Sequence, residues 1–428
     1  MNISSKKPRE EAAPPPPLPL RTNLIWSSTG SLTRTMCNWL MTIAAVRLST
    51  GFDTAGILSL AMSISNLVFP IAEYRLRTVQ VTDVRGEHTS QEYLGMRLIA
   101  SAAALGAGAV YTIATTNAGA FLVIMTYTFS QLVVTYLEGF HATEQRRMRM
   151  DYIGISYLLQ GIGGLVAFCL GIVLFNSLLA ATLLLTAVNI GIGVFYDIPR
   201  ARRFGPIRPE IRWRDATPTF VRLFPVAMVN TALSVVTLVP RQHLSDVMGA
   251  DALGIYASVA VPAVIIQATA TYLYTPVLGR LIELMMTDKP RAAALLARIC
   301  MFFIAVGAAS CLAFWVAGDW LLGLVFGSDI LPYAYLVQPA LLLSLITAFV
   351  WFTNDILLGL RDYVGCLLGG VAAAGITVAI TSPLTRQFDL NAPTVVGIIA
   401  SVIALLVMGL FFVRDYRRLT PMTPVSQK

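Results

Sequence analysis

Twelve apolar stretches, each long enough to form one helix across a bilayer, dominate the pattern of the chain. A membrane-spanning helix needs roughly 20 predominantly apolar residues. Six such stretches lie in the first half, at about 23–47, 54–72, 92–114, 119–139, 152–175 and 178–197. Six more lie in the second half, at about 218–239, 253–276, 295–316, 334–357, 362–382 and 393–413. The pattern predicts an all-α integral membrane protein with about 12 transmembrane helices.

The composition excludes a soluble globular protein. Of the 428 residues, 56% are hydrophobic and 13% are charged, whereas roughly 25% of the residues in soluble domains are charged. The mean hydropathy is +0.70. A chain of this composition has too few polar side chains to cover an aqueous surface.

Few groups in the chain are suited to metal binding or catalysis. The five cysteines are scattered singly and there are only three histidines, so we expect no disulfide framework, no metal site and no cofactor. No nucleophile-elbow, zinc-protease or phosphate-loop motif stands in a suitable context. The longest predicted outer loops, about 240–252 and 317–333, are too short for a catalytic domain. An integral-membrane enzyme is therefore the weakest functional alternative, and we expect no catalytic residue.

Most of the 31 basic residues lie on one side of the predicted membrane. They fall in both tails and in the connections after the even-numbered stretches, whereas the opposite side holds only Arg47, Arg241 and Arg386. Cytoplasmic connections carry the excess of Lys and Arg, so both termini are predicted to be cytoplasmic. This orientation accounts for the net charge of +8, and no nucleic-acid partner is expected.

The two halves of the chain resemble each other. Three segments of the first half, Asp53–Ala61, Arg97–Gly106 and Asp151–Gly154, match Asp251–Val259, Arg298–Gly307 and Asp362–Gly365 in the same order. The predicted organisation is a flexible cytoplasmic tail at 1–22, a six-helix bundle at 23–197, a basic linker at 198–217, a second bundle at 218–415 and a tail at 416–428. Two pseudo-symmetric six-helix bundles of this kind are expected to enclose a central cavity, with substrate near the middle of the membrane.

Arg34 is the most informative polar residue inside a predicted span. It lies near the bilayer centre, where an arginine costs about 2.5–3.5 kcal/mol on insertion scales. Ser27, Ser31, Arg34, Asn38 and Thr42 recur every three or four residues, so they share one face of the helix. Either this face lines a hydrated cavity, or Arg34 forms a structural ion pair with a carboxylate.

The first helix of the second half repeats this design. Its polar residues Asn230, Ser234, Thr237 and Arg241 follow one another at similar spacings. Arg241 lies near the predicted outer end, as Arg47 does in the first half. Both arginines are candidates for substrate contact or for snorkelling to the membrane surface.

Acidic groups inside the predicted spans are few. Asp355, near the cytoplasmic end of the tenth stretch, is expected to relay protons, to pair with a basic group or to be hydrated. Glu138 and Glu144, at the cytoplasmic end of the fourth stretch, are expected to be solvated. A cavity that holds more arginines than acids suits an anion, because guanidinium groups pair well with phosphate. The charges therefore favour an anionic substrate over a cationic drug.

Several segments resemble a known family of membrane proteins. They are Tyr74–Gly86 with Glu92–Arg97, Asn23–Trp26 with Gly30, Glu138–Phe140 with Gln145–Asp151, and Pro240–Arg241 with Leu253–Tyr256. Together these segments resemble the polysaccharide transporters of the multidrug/oligosaccharidyl-lipid/polysaccharide (MOP) exporter superfamily, and among these the O-antigen flippases of lipopolysaccharide biosynthesis.

The resemblance implies a flippase in the bacterial cytoplasmic membrane. It would move an undecaprenyl-pyrophosphate-linked oligosaccharide to the outer leaflet by alternating access, driven by an ion gradient. Arg34 with Asn38 would contact the anionic head group, Arg47, Asn230 and Arg241 would be further substrate contacts, and Asp355 would be the coupling group. Membrane lipids and a polysaccharide polymerase are the expected partners. The alternative is a small-solute or drug antiporter of the same superfamily.

Overall fold

The computed structural model describes residues 15–49, 51–83, 86–116 and 118–419. All regular secondary structure within these ranges is helical. Most of the predicted N-terminal tail and the end of the predicted C-terminal tail lie outside the described residues.

Twelve long helices correspond one to one with the twelve predicted apolar stretches. Those of the first half are α1 Leu20–Leu48, α2 Asp53–Glu73, α3 Ser90–Thr115, α4 Ala118–Arg146, α5 Met150–Phe175 and α6 Leu178–Ile192. Those of the second half are α7 Trp213–Met248, α8 Ala250–Thr287, α9 Lys289–Phe326, α10 Val337–Gly359, α11 Tyr363–Phe388 and α12 Ala392–Arg418. The predicted fold class, a polytopic all-helical membrane protein, is confirmed.

Shorter helical pieces connect the long ones. A helix at Leu76–Thr82 follows α2, a π-helical turn at Gly193–Asp197 and a helix at Ile198–Ala201 continue α6, and a 3₁₀ helix at Ser328–Leu336 precedes α10. Nine helical stretches in the described part have the length and hydropathy of membrane-crossing helices, and one of them, Tyr363–Arg418, contains both α11 and α12. The protein is therefore a multi-pass membrane protein.

The two halves pack in the same way, as their sequence resemblance predicts. Helix α1 packs on α5 as α7 packs on α11, α2 on α4 as α8 on α10, and α5 on α6 as α11 on α12. Small residues allow these close approaches, as is usual between membrane helices. An added Cβ on Gly171 in α5 would meet the backbone of Ala181 in α6, and one on Gly369 in α11 would meet the side chain of Met408 in α12.

The two bundles share one apolar core at one end. We call this end, which holds the α1–α2 and α7–α8 turns and is predicted to be extracellular, the outer side. The shared core contains Met41 and Leu58 of the first bundle together with Leu253, Phe326 and Leu341 of the second. Because residues of both bundles bury one another there, the outer side is sealed.

Nearer the other end, the apolar cores are mostly separate. Phe303 and Phe352 belong to a cluster built from the second bundle, and Leu137 and Phe140 belong to one built from the first bundle and the linker. The start of α7 is the exception, because Phe220 packs edge-on against Tyr74 of the first bundle. The bundles are thus joined more extensively at the outer side than at the predicted cytoplasmic side.

The predicted outer loops are wrong in length. Helix α7 continues to Met248 and α9 to Phe326, so only Gly249, with φ +88°, separates α7 from α8. Hydropathy locates the apolar part of a helix, and a helix extends past that part wherever its polar residues can reach water or a neighbour.

Candidate functional site: a charged network beside the first helix

Two glycines of α5 bring α1 close enough for its polar face to reach the bundle interior. A Cβ on Gly154 would lie 2.8 Å from the carbonyl carbon of Trp26, and one on Gly161 would lie 2.9 Å from Cα of Arg34. Contacts this short leave no room for a side chain. The glycines therefore fix the depth and rotation at which the Arg34 side chain enters the bundle.

Arg34 contacts three polar or aromatic side chains of α4 and α5. Its Nη1 lies 3.4 Å from Oε1 of Glu138 and 3.3 Å from Oε1 of Gln160. Its guanidinium carbon lies 3.9 Å from the centroid of the Tyr157 ring, a cation–π distance. The side chain is still 28% exposed. Arg34 is therefore ion-paired, as the structural alternative predicted, with part of its side chain exposed, and its role in lining a hydrated cavity stays a prediction.

Glu138 is shared between two arginines. Its Oε2 pairs closely with Arg77, and its Oε1 faces Arg34. The hydroxyl of Tyr157 donates to both carboxylate oxygens, at 2.7 and 3.0 Å, and accepts a hydrogen bond from Arg77 Nη1 at 2.7 Å. Arg77 Nη2 also donates to Oε1 of Gln145 at 3.0 Å. Two guanidinium groups thus share one carboxylate, which leaves one positive charge in excess.

A second, fully buried set of side chains contacts Glu138 and Gln160. His141 Nδ1 lies 3.7 Å from Oε2 of Glu138, and its Nε2 lies 3.4 Å from Oδ1 of Asp197. Ser156 donates to Asp197 at 3.1 Å and accepts from the amide nitrogen of Gln160 at 3.0 Å. Because its nitrogen is engaged by Ser156, Gln160 turns its amide oxygen toward Arg34. His141 therefore lies between two carboxylates, Glu138 and Asp197.

The expectation that Glu138 and Glu144 are solvated is wrong. The Glu138 side chain is 13% exposed and Glu144 is fully buried. The reason is that α4 continues to Arg146, past the predicted end at 139, and packs inside the first bundle along its last two turns. Neither carboxylate oxygen of Glu144 has a hydrogen-bond partner within the described residues.

The other predicted site residues lie apart from this network. Asn38 is half-buried on α1, and Asn230 is half-buried on α7 with its Oδ1 unpartnered in the described part of the chain. Arg241 donates from α7 to the hydroxyls of Ser59 at 3.4 Å and of Ser63 at 3.3 Å. Arg241 therefore bridges the two bundles, while Arg34 contacts only the first.

Asp355 lies in the second bundle. Its Oδ2 accepts a hydrogen bond from the Tyr274 hydroxyl at 2.9 Å, and the residue is half-buried. This places a carboxyl group at the predicted cytoplasmic end of α10, where its role in ion coupling stays a prediction.

The sequence pattern did not identify Arg77, Tyr157 and Gln145 as site residues. The signal available for them was the carboxylate of Glu138 at the end of an apolar stretch.

Arg47 joins the two bundles at the outer side. Its Nε donates to the carbonyl oxygen of Val325 at 2.6 Å, and its Nη2 donates to those of Leu324 and, at 3.3 Å, Gly323. These are among the last carbonyl groups of α9, where the helix dipole is negative. The structure thus gives Arg47, predicted as a substrate contact, a place in the outer seal.

Replacement of Arg47 by alanine is expected to loosen the outer seal. Spin labels on Leu122→Cys in the first bundle and Trp320→Cys in the second, both exposed side chains, would report the separation in a background without the native cysteines. The distance distribution should broaden and shift outward in Arg47→Ala. Arg386→Ala, an exposed arginine near the end of α11, should leave it unchanged, and equal effects of both substitutions would contradict the role of Arg47.

Two residues in the segments that resemble the polysaccharide transporters, Asn23 and Asp83, hold loops in place. The Asn23 amide donates to the carbonyl groups of Leu18 and Met148 and accepts from the Met150 N–H, which ties the start of α1 to the α4–α5 turn. Asp83 accepts from two backbone N–H groups in the loop before α3, at 2.9 and 3.1 Å. Burial alone would raise the pKa of Asp83, but these hydrogen bonds stabilise the carboxylate and hold its pKa below the usual value.

Comparison with known proteins relates this fold to membrane transporters. No protein-family model and no curated protein sequence matches the chain. Among solved structures, the lipid II flippase MurJ in an inward closed conformation superposes with a TM-score of 0.67 at 9% identity, covering 92% of this chain and 90% of MurJ. A mutant of the Vibrio cholerae MATE transporter VcmN gives a TM-score of 0.62 at 11% identity, covering 93% and 95% of the two chains.

A third similar structure is described as having a binding pocket of reverse polarity. It is a MOP superfamily transporter from Pyrococcus furiosus, with a TM-score of 0.60 at 13% identity and coverage of 93% of this chain and 95% of the other. At such identities these likenesses show the fold. The chain has the fold shared by these MATE transporters and MurJ.

Proposed function

We propose that the protein is a membrane transporter that flips an undecaprenyl-pyrophosphate-linked oligosaccharide to the outer leaflet for surface polysaccharide biosynthesis. In this proposal it lies in the bacterial cytoplasmic membrane with both termini in the cytoplasm, and it passes its product to a polysaccharide polymerase. The fold likeness to proteins named as transporters and as a lipid II flippase supports a transport function.

The observation that carries the proposal is the unbalanced charge at Arg34. Arg34 and Arg77 share the single carboxylate of Glu138, so this group holds one uncompensated positive charge within the first bundle. A guanidinium at this depth favours an anionic partner, and pyrophosphate offers several oxygens for parallel hydrogen bonds. The 28% exposure of Arg34 gives such a ligand access.

The lipid-linked form of the substrate is taken from the sequence resemblance. Leu32, Met36 and Leu40 follow one another at intervals of four residues and are 43–50% exposed. They lie on the face of α1 opposite Arg34, because residues two positions apart on a helix point in nearly opposite directions, so this apolar strip suits contact with the bilayer.

The proposal is tested by ligand protection of the purified protein in lipid nanodiscs. A ligand that binds only the folded protein stabilises it by about 2.7 kcal/mol at 100 times its dissociation constant. We expect undecaprenyl pyrophosphate to raise the unfolding temperature and ethidium, a cationic drug, to leave it unchanged. The opposite result would favour the drug-antiporter alternative.

A further inference from the structure

We propose that Glu138 is an internal counter-anion, which occupies Arg34 in the unloaded protein and is displaced from it by the phosphate of the substrate. This inference rests on the proposed function and adds to it the group that sets affinity and release. The evidence is the unequal way in which the carboxylate holds its two arginines.

Arg77 is held firmly. It pairs closely with Glu138, donates to the Tyr157 hydroxyl at 2.7 Å and donates to Gln145 at 3.0 Å. These three partners leave the guanidinium of Arg77 fixed against α4 and α5. Arg77 is therefore the permanent partner of the carboxylate.

Arg34 is held loosely. Its contacts to Glu138 and Gln160 measure 3.4 and 3.3 Å, longer than the roughly 2.7–2.9 Å of a strong charge-assisted hydrogen bond. Its side chain is 28% exposed, close to the 25% of Arg77, so the longer contacts, and not the exposure, distinguish the two arginines. Arg34 is therefore the arginine that can turn to an incoming anion at the lower cost.

Glu138 remains stabilised when Arg34 turns away. Arg77 and the Tyr157 hydroxyl still contact its oxygens, and His141 lies 3.7 Å behind it. A buried carboxylate without partners would be costly, but here the loss of Arg34 leaves an ion pair intact. The exchange of Glu138 for phosphate at Arg34 thus leaves no charge unpaired.

Competition of this kind explains how the substrate leaves. A guanidinium without a competing anion would bind pyrophosphate equally well at every stage of the transport cycle. Binding that is equally strong at every stage does not accelerate the cycle. A carboxylate beside Arg34 lowers the affinity for pyrophosphate, and it forms the ion pair with the guanidinium again when the phosphate leaves. The charge of Glu138 should therefore weaken binding and accelerate release.

The test compares Glu138→Gln with Tyr157→Phe in the full-length protein. The amide of Glu138→Gln cannot compete as an anion, so the dissociation constant for undecaprenyl pyrophosphate should fall about tenfold while turnover in proteoliposomes also falls. Tyr157→Phe keeps the ring beneath Arg34 but removes the hydroxyl that stabilises the carboxylate. Glu138 should then hold Arg34 more strongly, and the dissociation constant should rise.

A dissociation constant that falls in Glu138→Gln and rises in Tyr157→Phe supports the counter-anion role of Glu138. Weaker binding in both variants would show that Glu138 only positions Arg34 and would overturn the inference. Unchanged binding in Glu138→Gln would also overturn it. If Glu138→Gln fails to fold, a fall in the dissociation constant of Tyr157→Phe overturns the inference and a rise supports it. Glu283→Gln, which removes an exposed carboxylate paired with Arg280, is the matched control and should bind like the native protein.

The proposed function is tested separately by the native protein in the same assay. Arg34-dependent binding of undecaprenyl pyrophosphate, with no tightening in Glu138→Gln, would leave the function standing and remove the counter-anion. Absence of binding by well-folded native protein would remove both.

Discussion

Replacement of Arg34 by alanine is expected to abolish export of surface polysaccharide. The substitution removes one of the two arginine charges that share the Glu138 carboxylate, so the proposed pyrophosphate site loses the guanidinium that is proposed to contact the substrate. The protein should still insert, because a mid-membrane arginine costs about 2.5–3.5 kcal/mol on insertion scales and Glu138 keeps Arg77 as its partner. The measurement is surface polysaccharide in a strain whose own copy of the gene is deleted, together with the amount of protein in the membrane.

Two further variants separate charge from geometry. Arg34→Lys should retain part of the activity, since lysine keeps the charge and loses the planar, bidentate donor pair. Arg298→Ala removes an exposed arginine of α9 and should export normally. Normal export from well-expressed Arg34→Ala would exclude Arg34 from the substrate site.

The helices could be predicted from the sequence because their signal is local. Each of the twelve apolar stretches lies within one of the twelve long helices or its direct extension, as 178–197 does with α6 and the following π turn. The polar face of α1 was equally visible, because residues at spacings of three and four share a helix face. Arg34 was identified from its own helix alone.

The partners of Arg34 could not be predicted because they come from distant helices. Glu138 lies 104 residues away and Gln160 lies 126 residues away. The fourth apolar stretch ends near Glu138, so hydropathy placed that carboxylate in water, while the actual helix carries it inside the bundle for two more turns. Packing depth of a polar helix end depends on neighbouring helices, which the local pattern does not contain.

Arg47 illustrates a second limit. Its acceptors are backbone carbonyl groups of α9, 276 to 278 residues away. A carbonyl group is present at every residue and leaves no signature in the sequence. The end of a helix becomes a binding partner only through the fold, so a bundle-joining role could not be told from snorkelling.

Gly56→Ala is expected to open the outer side. Gly56 in α2 and Gly254 in α8 meet backbone to backbone: a Cβ on Gly56 would lie 2.8 Å from the carbonyl carbon of Ala250 and 3.0 Å from the nitrogen of Gly254. Backbone atoms cannot move aside as a flexible side chain can, so the two helices must separate. Overpacking of this kind costs about 1–3 kcal/mol, and it acts only where the helices touch.

The substitution should therefore shift a conformational equilibrium and leave the fold intact. In a state with the outer side open, the added methyl group meets no backbone, so about 1–3 kcal/mol would favour that state by roughly fivefold to 150-fold. Ser59→Cys, buried beside Arg241 at the bundle interface, would report opening through faster reaction with a thiol reagent added from outside, and transport should fall to background. Gly106→Ala in α3, where an added Cβ has no atom within 4 Å, gives the helix the same gain in helix propensity. It should change neither the reaction rate of Ser59→Cys nor transport. If Gly56→Ala kept Ser59→Cys protected and transported normally, the close approach of α2 and α8 would not be the seal.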